Sequence, residues 1–259
     1  AGDRVNLYYS AHAGATWLPI PGGSDYPNVD STATNAFTWI IPSAPSARAR
    51  VKITDVASLE SLWAQSLRFN IAGVRIDRPN GSFAEPPWKL DASERIYWSF
   101  AAAGPSQAGT LQISYGQTTN FITIIGPGFP LTATNYVYIA TNPTVQAKVK
   151  LIANDPSVTN MWDMSDNYFT VAGIKVNRPT SNDEYTVNAF TNRAIKWTCA
   201  GTLDDTADIY YNDGGATWSP LILATYNDEN FPGETDEDWT PALTAELNPS
   251  PSARIRVIA

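Results

Sequence analysis

Apolar and polar residues alternate along short stretches of the chain, and the clearest stretch is written twice. Residues 71–79 (IAGVRIDRP) return a hundred positions later as residues 171–179 (VAGIKVNRP). Alternation of β-branched and polar residues predicts a strand with one buried face. The closing Arg-Pro ends the pairing, because proline has no N–H to donate. We interpret each copy as a seam, in which the last strand of one domain runs through Gly73 or Gly173 into the first strand of the next.

Further patterns recur at the same period. The alternating stretch 49–53 (ARVKI) aligns with 147–151 (AKVKL) and with 253–257 (ARIRV), which predicts one strand written three times with basic side chains outward. Residues 14–17 (GATW) return at 215–218. Self-similarity at a fixed period is the mark of a repeat architecture. The predicted domains are residues 1–72, 73–172 and 173–259.

The middle copy carries a full set of strand patterns. Seven short strands separated by turn residues in about a hundred positions are typical of an immunoglobulin-like sandwich. The first copy lacks the first two strands and the third copy lacks the last. The sequence therefore predicts an all-β chain of tandem immunoglobulin-like β-sandwiches, one complete and two partial. A single helical turn within 58–65 is the one helical candidate. The predicted strands are 74–77, 95–100, 110–115, 121–125, 135–139, 148–152 and 168–171.

Three motifs give the chain a resemblance to a known family. They are 74–98 (VRIDRPNGSFAEPPWKLDASERIYW), 165–171 (SDNYFTV) and 210–218 (YYNDGGATW). Together they resemble the Ig-like domain of the Ser-Thr-rich cell-surface family, which occurs as tandem arrays in bacterial surface proteins, including surface-layer (S-layer) proteins. S-layer proteins of the anammox-type planctomycetes are the relatives we suggest. The chain departs from the family pattern at 116–121 and at 80–82. The resemblance implies a structural role and carries over no catalytic residue.

Net charge and cysteine content narrow the classes of partner. The chain of 259 residues has a net charge of −8, which argues against nucleic-acid backbones and anionic membrane surfaces. No apolar run is long enough to span a bilayer. The single cysteine, Cys199, permits no internal disulfide.

Residues able to perform catalysis are scarce. A nucleophile needs an activating base, usually histidine, and the only histidine is His12, in a predicted turn. Cys199 falls on a predicted strand beside Trp197 and is expected to act as a small buried hydrophobe. The chain lacks the Cys and His clusters that bind zinc. We therefore predict that it is not an enzyme.

The nine tryptophans suggest a sugar-binding surface, but most of them recur at fixed positions of the repeat. Recurring aromatics are more often core residues, so we assign these to the core. Trp88, in a proline-flanked loop, is left open. The aligned positions are Trp17 with Phe121 and Trp218, Trp98 with Trp197, Trp39 with Trp239, and Trp63 with Trp162.

Acidic residues are concentrated in the third copy, which has 13 acidic and 6 basic residues from Gly173 onward. Calcium takes six to eight oxygen ligands from such loops, although a charge run is usually a solvated surface. We predict a calcium site in one loop, formed by Asp228, Glu229, Glu234, Asp236, Glu237 and Asp238. A second, weaker site at a domain seam is predicted from Asp155, Asp163, Asp166, Asp183 and Glu184.

These patterns predict a structural, extracellular protein of the cell surface, a fragment of an S-layer or similar self-assembling array. Its predicted partners are neighbouring copies and a cell-surface glycan. The strands missing from the partial sandwiches come from residues outside this sequence or from a neighbouring copy, unless the fold there is looser. The alternative is an adhesin or a set of glycan-binding accessory modules of an extracellular protein. Calcium is the only cofactor considered. One N-glycosylation sequon is present, at 80–82.

Overall fold

The structure is a computed structural model that describes residues 4–29, 34–58, 61–101, 107–116, 120–154, 161–184, 193–201, 206–226, 235–239 and 250–259. For residues 193, 224–226 and 235–239 it describes the backbone alone. Twenty strands and one short 3-10 helix make up the secondary structure of these residues. The prediction of an all-β fold is confirmed. No helix in the described ranges has the length and apolarity needed to cross a membrane.

The first segment, residues 4–71, forms a single six-stranded sheet. Its path runs β2-β1-β4-β5, with β3 paired to β1 and β6 paired to β4. The strands are β1 (Arg4–Ser10), β2 (Leu18–Pro19), β3 (Tyr26–Pro27), β4 (Ser46–Asp55), β5 (Trp63–Gln65) and β6 (Phe69–Ile71). The predicted helical turn within 58–65 is wrong where it overlaps β5, because those residues pair with β4.

The middle segment is a sandwich of two packed sheets. One sheet has the order β12-β9-β7, and the other is built around β11-β10-β13. Its elements are β7 (Gly73–Arg78), β8 (Trp88–Lys89), β9 (Ser93–Ala101), β10 (Ala108–Ser114), β11 (Ile122–Pro130), η1 (Leu131–Ala133), β12 (Asn135–Ile139), β13 (Thr144–Ala153), β14 (Trp162–Met164) and β15 (Phe169–Arg178). All seven strands predicted from the sequence are present, with β11, β13 and β15 longer than expected.

The middle core forms where the apolar positions of the two sheets meet. Val74, Ile76, Ile96 and Trp98 contribute from one sheet, and all four are buried. The opposite sheet contributes the inward residues of β10 and β13, which are also buried. The indole Nε1 of Trp98 donates a hydrogen bond of 2.7 Å to the carbonyl oxygen of Leu131, so the largest core side chain leaves no polar atom unpaired.

The third segment also has two sheets, one of which begins in the middle segment. Before Gly173, β15 pairs with β13, and from Gly173 onward it pairs with β16. The remaining strands are β16 (Arg193–Ala200), β17 (Thr206–Asn212), β18 (Ser219–Tyr226), β19 (Thr235–Trp239) and β20 (Arg254–Ile258). β16 continues to β19, and the facing sheet has the order β18-β17-β20. Its core contains Ile195, Trp197 and Ile209.

The two seams have the same sequence pattern but different backbones. Gly173 has a φ of +150°, and a Cβ there would lie 2.5 Å from the Cβ of Leu90. A side chain at Gly173 is therefore excluded by both its conformation and the available space. At Gly73 the nearest atom to such a Cβ is 3.4 Å away, in Pro45. The domain boundaries at 72 and 172 stay a prediction.

Candidate interaction surfaces

Among its described residues, the first segment has no second sheet over the inner side of its own sheet, so that side is only partly covered. Leu7 pairs with Ile53 and Tyr9 with Val51 across β1 and β4, and these four residues define what we call the open face. The equivalent pairs in the middle segment are Leu111 with Leu151 and Ile113 with Val149, and all four of those side chains are fully buried. In the first segment, in contrast, Leu7 is buried, Tyr9 and Val51 are half-buried, and Ile53 is 43% exposed. The open face has the composition of a core without its second sheet.

A loop of the first segment covers the open face only in part. The ring of Trp39 packs against Tyr9 at a centroid distance of 5.3 Å. Its Nε1 atom is inaccessible to solvent and has no hydrogen-bond acceptor among the described residues. Ile40, next in the chain, is almost fully exposed. An inaccessible donor without an acceptor beside exposed apolar side chains is the arrangement expected of an incomplete core.

The outer side of the sheets carries a second surface, which recurs in all three segments. In each, a basic side chain lies over two aromatic rings. We call this the aromatic–cation row. It consists of Tyr8, Trp17 and Lys52 in the first segment, Phe121, Lys150 and Trp162 in the middle segment, and Tyr210, Trp218 and Arg256 in the third.

Distances within the row are similar in all three copies. The Nζ of Lys52 lies 4.8 Å from the ring centroid of Tyr8 and 5.2 Å from that of Trp17. The Nζ of Lys150 lies 4.7 Å from the ring of Trp162. The guanidinium carbon of Arg256 lies 4.5 Å from the ring of Trp218. All are within the range of an attractive cation–π contact.

Strand register explains why the row recurs. The basic residue occupies the same outward position of the repeated strand each time, pairing with Tyr8, Gln112 and Tyr210 respectively. Neighbouring outward positions are also basic at Arg50, Lys148 and Arg254. Since side chains alternate across a strand, the strand that places its apolar side chains inward places these cations outward.

The assignment of recurring tryptophans to the core is right for some and wrong for others. Trp98 and Trp197 are buried in the cores of their sandwiches. Trp63 and Trp162 are 60% and 48% exposed, so the prediction is wrong for this pair. Their short strands β5 and β14 present them on the outer side, where no second sheet packs.

The remaining recurring aromatics that the structure describes are half-buried, and Trp88, left open by the sequence, is a core residue. Trp17, Trp39, Trp218 and Phe121 are all partly exposed, so they too are not fully buried core residues. Trp239 lies among the residues whose side chains are not described. Trp88 is buried, with its ring 4.7 Å from that of Phe169.

The predicted calcium loop is only partly within the described residues. Asp228, Glu229 and Glu234 lie outside them. Asp236, Glu237 and Asp238 belong to strand β19 rather than to a loop, and they pair with Lys196, Ile195 and Ala194 of β16. No cluster of three or more Asp, Glu, His or Cys side chains with metal-binding geometry occurs in the described part of the chain. The calcium site stays a prediction.

The second predicted cation site brings two of its residues near each other, and both have protein partners. Asp163 accepts a hydrogen bond of 2.7 Å from the backbone N–H of Ile76. Asp166 accepts one of 2.7 Å from the side-chain amide of Asn80. Asp183 accepts bonds from the N–H and hydroxyl of Thr180. Asp155 lies outside the described residues, and Glu184 is exposed at the end of its range.

Burial raises the pKa of Asp163 above its ordinary value, and the neighbouring Asp166 adds to the rise. The N–H groups of Ile76 and Met164 and the guanidinium of Arg75 lower the pKa, without cancelling the effect of burial. Asp163 is thus a carboxylate that links the two sheets of the middle sandwich at the cost of partial desolvation.

The other residues singled out from the sequence have structural surroundings. His12 is exposed, and its Nδ1 atom lies 3.4 Å from the hydroxyl of Thr16. Cys199 is buried on β16, as expected of a small hydrophobe. At the sequon, the Asn80 amide nitrogen that would carry a glycan already donates to Asp166.

Comparison with known proteins does not identify a family for the chain. No family model and no curated protein matches the chain. The chain is similar to a crystal structure of the chicken CNTN1 FN1-FN3 domains, with 12% sequence identity and a TM-score of 0.28, over 98% of this chain and 82% of that one. Because this superposition is loose, the fold is assigned from the sheets described above. Within the described ranges, the middle and third segments each have two facing sheets, as in a β-sandwich, and the first segment has one.

Proposed function

We propose that the chain is a structural protein of the cell surface, a building block of an S-layer or a similar self-assembling extracellular array. The sequence motifs that resemble tandem surface-protein domains support this role. The observation that carries the proposal is the open face of the first segment. The same alternation of residues that is fully buried in the middle segment is only partly buried there, with Tyr9 and Val51 half-buried and Ile53 43% exposed.

The proposed partner at the open face is the open face of a neighbouring copy. Two sheets pack face to face at about 10 Å, with apolar side chains interdigitating. A contact of a surface with itself is isologous and generates a two-fold dimer. The neighbour supplies the second layer that β7 and β9 supply in the middle segment. A two-dimensional array needs at least one further contact between such dimers.

Analytical ultracentrifugation over a range of concentrations tests the contact. The wild-type protein is expected to dimerise, and Ile53→Lys is expected to weaken dimerisation at least tenfold, because it places a charge in a dry interface. Ile258→Lys is the matched control, since Ile258 is also 43% exposed but its register partner is Asp208 rather than a core residue. A monomer at every concentration, or equal effects of the two substitutions, contradicts the proposed contact.

The array itself is tested by electron microscopy of the protein concentrated on a support. Ordered two-dimensional patches are expected for the wild type and for Ile258→Lys, but not for Ile53→Lys. Dimers that never form a lattice would support the proposed dimer contact and contradict the proposed array. Recovery of the protein in the cytoplasmic fraction of its source cells would contradict a surface location.

A further inference from the structure

The aromatic–cation row is not required by the cores that it lies behind. In the middle segment the core closes between the two sheets, and Lys150 and Trp162 lie on the far side of one of them. An indole that is 48% exposed contributes only part of the apolar burial that a core tryptophan contributes. Trp63, at the equivalent position of the first segment, is 60% exposed. Exposed rings that recur at fixed strand positions are better explained by a ligand than by folding.

The charge on this side of the sheets is opposite to that of the chain as a whole. The chain has a net charge of −8 and 17 basic residues. Six of those residues occupy the outward positions of the three repeated strands: Arg50, Lys52, Lys148, Lys150, Arg254 and Arg256. None of the ion pairs found within the described residues includes any of the six. The outer side therefore presents positive charge on an acidic protein, which attracts an anionic ligand.

The arrangement of rings and cations identifies the chemistry of that ligand. The face of an aromatic ring is electron-rich and packs well against the weakly positive C–H groups of a flat aliphatic ring. Sugar rings present such C–H faces, and an ammonium group a few ångströms away pairs with a carboxylate on the sugar. The row supplies one ring-and-cation unit per segment, which fits a ligand of repeating units.

Nucleic acid fits the row less well. Duplex DNA carries one charge per about 1.7 Å of axis, and its binding depends on many closely spaced cations. Here each segment offers two neighbouring basic residues on the outward side of one strand. The net negative charge of the chain repels polyphosphate overall.

We propose that the aromatic–cation row, together with Trp63 on the neighbouring strand β5, binds an acidic polysaccharide. Sugar rings stack on Trp63 and Trp162, and uronate carboxylates pair with Lys52 and Lys150. The row lies on the opposite side of the sheet from the open face, so the proposed dimer contact leaves it accessible. The binding site is thus independent of the dimer contact.

Titration calorimetry and affinity electrophoresis with polygalacturonate test the proposal, with dextran as the uncharged polymer and a single-stranded oligodeoxynucleotide as the other polyanion. Binding to polygalacturonate is expected, and it should weaken as salt is added. The double variant Trp63→Ala/Trp162→Ala is expected to bind about tenfold more weakly, the size typical of losing a contact residue. Lys52→Gln/Lys150→Gln is expected to weaken binding similarly.

Matched controls separate the row from general effects. Phe83→Ala removes an exposed aromatic ring elsewhere on the middle segment, and Lys89→Gln removes an exposed cation outside the row. Both are expected to bind like the wild type, and circular dichroism is expected to show that all variants remain folded. Equal affinity of the row variants and the controls overturns the proposal, as does binding to dextran or to the oligonucleotide alone.

Discussion

The first and middle segments contain the same strand pair in two environments. Ile53 and Leu151 occupy equivalent positions opposite Leu7 and Leu111. Leu151 is fully buried and Ile53 is 43% exposed, although the surrounding alternation is nearly identical in sequence. The difference shows that the inward pattern of a strand specifies a face for burial, while a second layer determines whether that face is buried.

The largest expected difference is in core truncation. Leu151→Ala should lower stability by about 2–5 kcal/mol, because it removes buried methyl groups and leaves a cavity. Ile53→Ala should cost less than about 1 kcal/mol in dilute solution, since much of that side chain already contacts water. Hydrogen-exchange mass spectrometry on β13 and β4 peptides measures each segment separately. Equal losses at a dilution where the protein is monomeric would show that Ile53 is buried within its own chain.

The next difference concerns two indole N–H groups. Trp98→Phe should cost about 1–3 kcal/mol, because it leaves the buried carbonyl of Leu131 without its donor. Trp39→Phe should be nearly neutral or slightly stabilising, since the Nε1 atom of Trp39 has no described acceptor. Guanidinium unfolding, monitored by hydrogen exchange in peptides from each segment, gives the change in stability for both substitutions. A large loss for Trp39→Phe would indicate an acceptor at the open face, such as one supplied by a partner.

The smallest difference is a pH dependence found only in the middle segment. Because the folded-state pKa of Asp163 is raised above its ordinary value of 3.8, the ionised form is the disfavoured one. Asp163 therefore lowers stability at neutral pH, and this effect disappears as the pH falls through the raised pKa. Asp163→Asn, which can still accept from Ile76, should stabilise the middle segment at pH 7 and give a smaller gain toward pH 4.

The control for this pH effect is Ala64→Asn in the first segment. Ala64 pairs with Ile53 as Asp163 pairs with Leu151, but no carboxylate stands there. Thermal melts from pH 4 to pH 8 should show a pH-dependent difference for the first substitution and none for the second. A gain for Asp163→Asn that is constant across this range would mean that charge is not its cause.

Much of the fold was predictable because alternation and recurrence reinforce each other. The strand at 147–151 is written three times, and its inward residues are apolar in every copy. Strands of two or three residues, such as β5, β8 and β14, escaped prediction because they are too short to show a period. The sequence predicts a loop at the acidic strand β19, since Asp and Glu are depleted in strands. In the structure, pairing with β16 outweighs that preference.

The candidate surfaces were harder to predict. A residue that recurs in each copy has the same environment each time, but recurrence does not show whether that environment is the core or the outer side of a sheet. Trp162 and Trp98 both recur, yet one lies outside the sheet and the other inside. The signal that distinguishes them is the side of the strand. Lys150 and Ile152 occupy the outward positions of β13, and Trp162 pairs with Ile152. Once that register is known, the outward direction of Trp162 follows.

The continuity of β15 determines how the array would respond to a pulling force. The ten residues of this strand span about 30 Å and are hydrogen-bonded first to one sandwich and then to the next. Tension along the chain therefore passes between these domains through backbone covalent bonds, and bending there requires ladder hydrogen bonds to break. The first seam is interrupted at Ala72, where β6 ends before β7 begins. A filament of such units would bend at every first seam and resist bending at every second one.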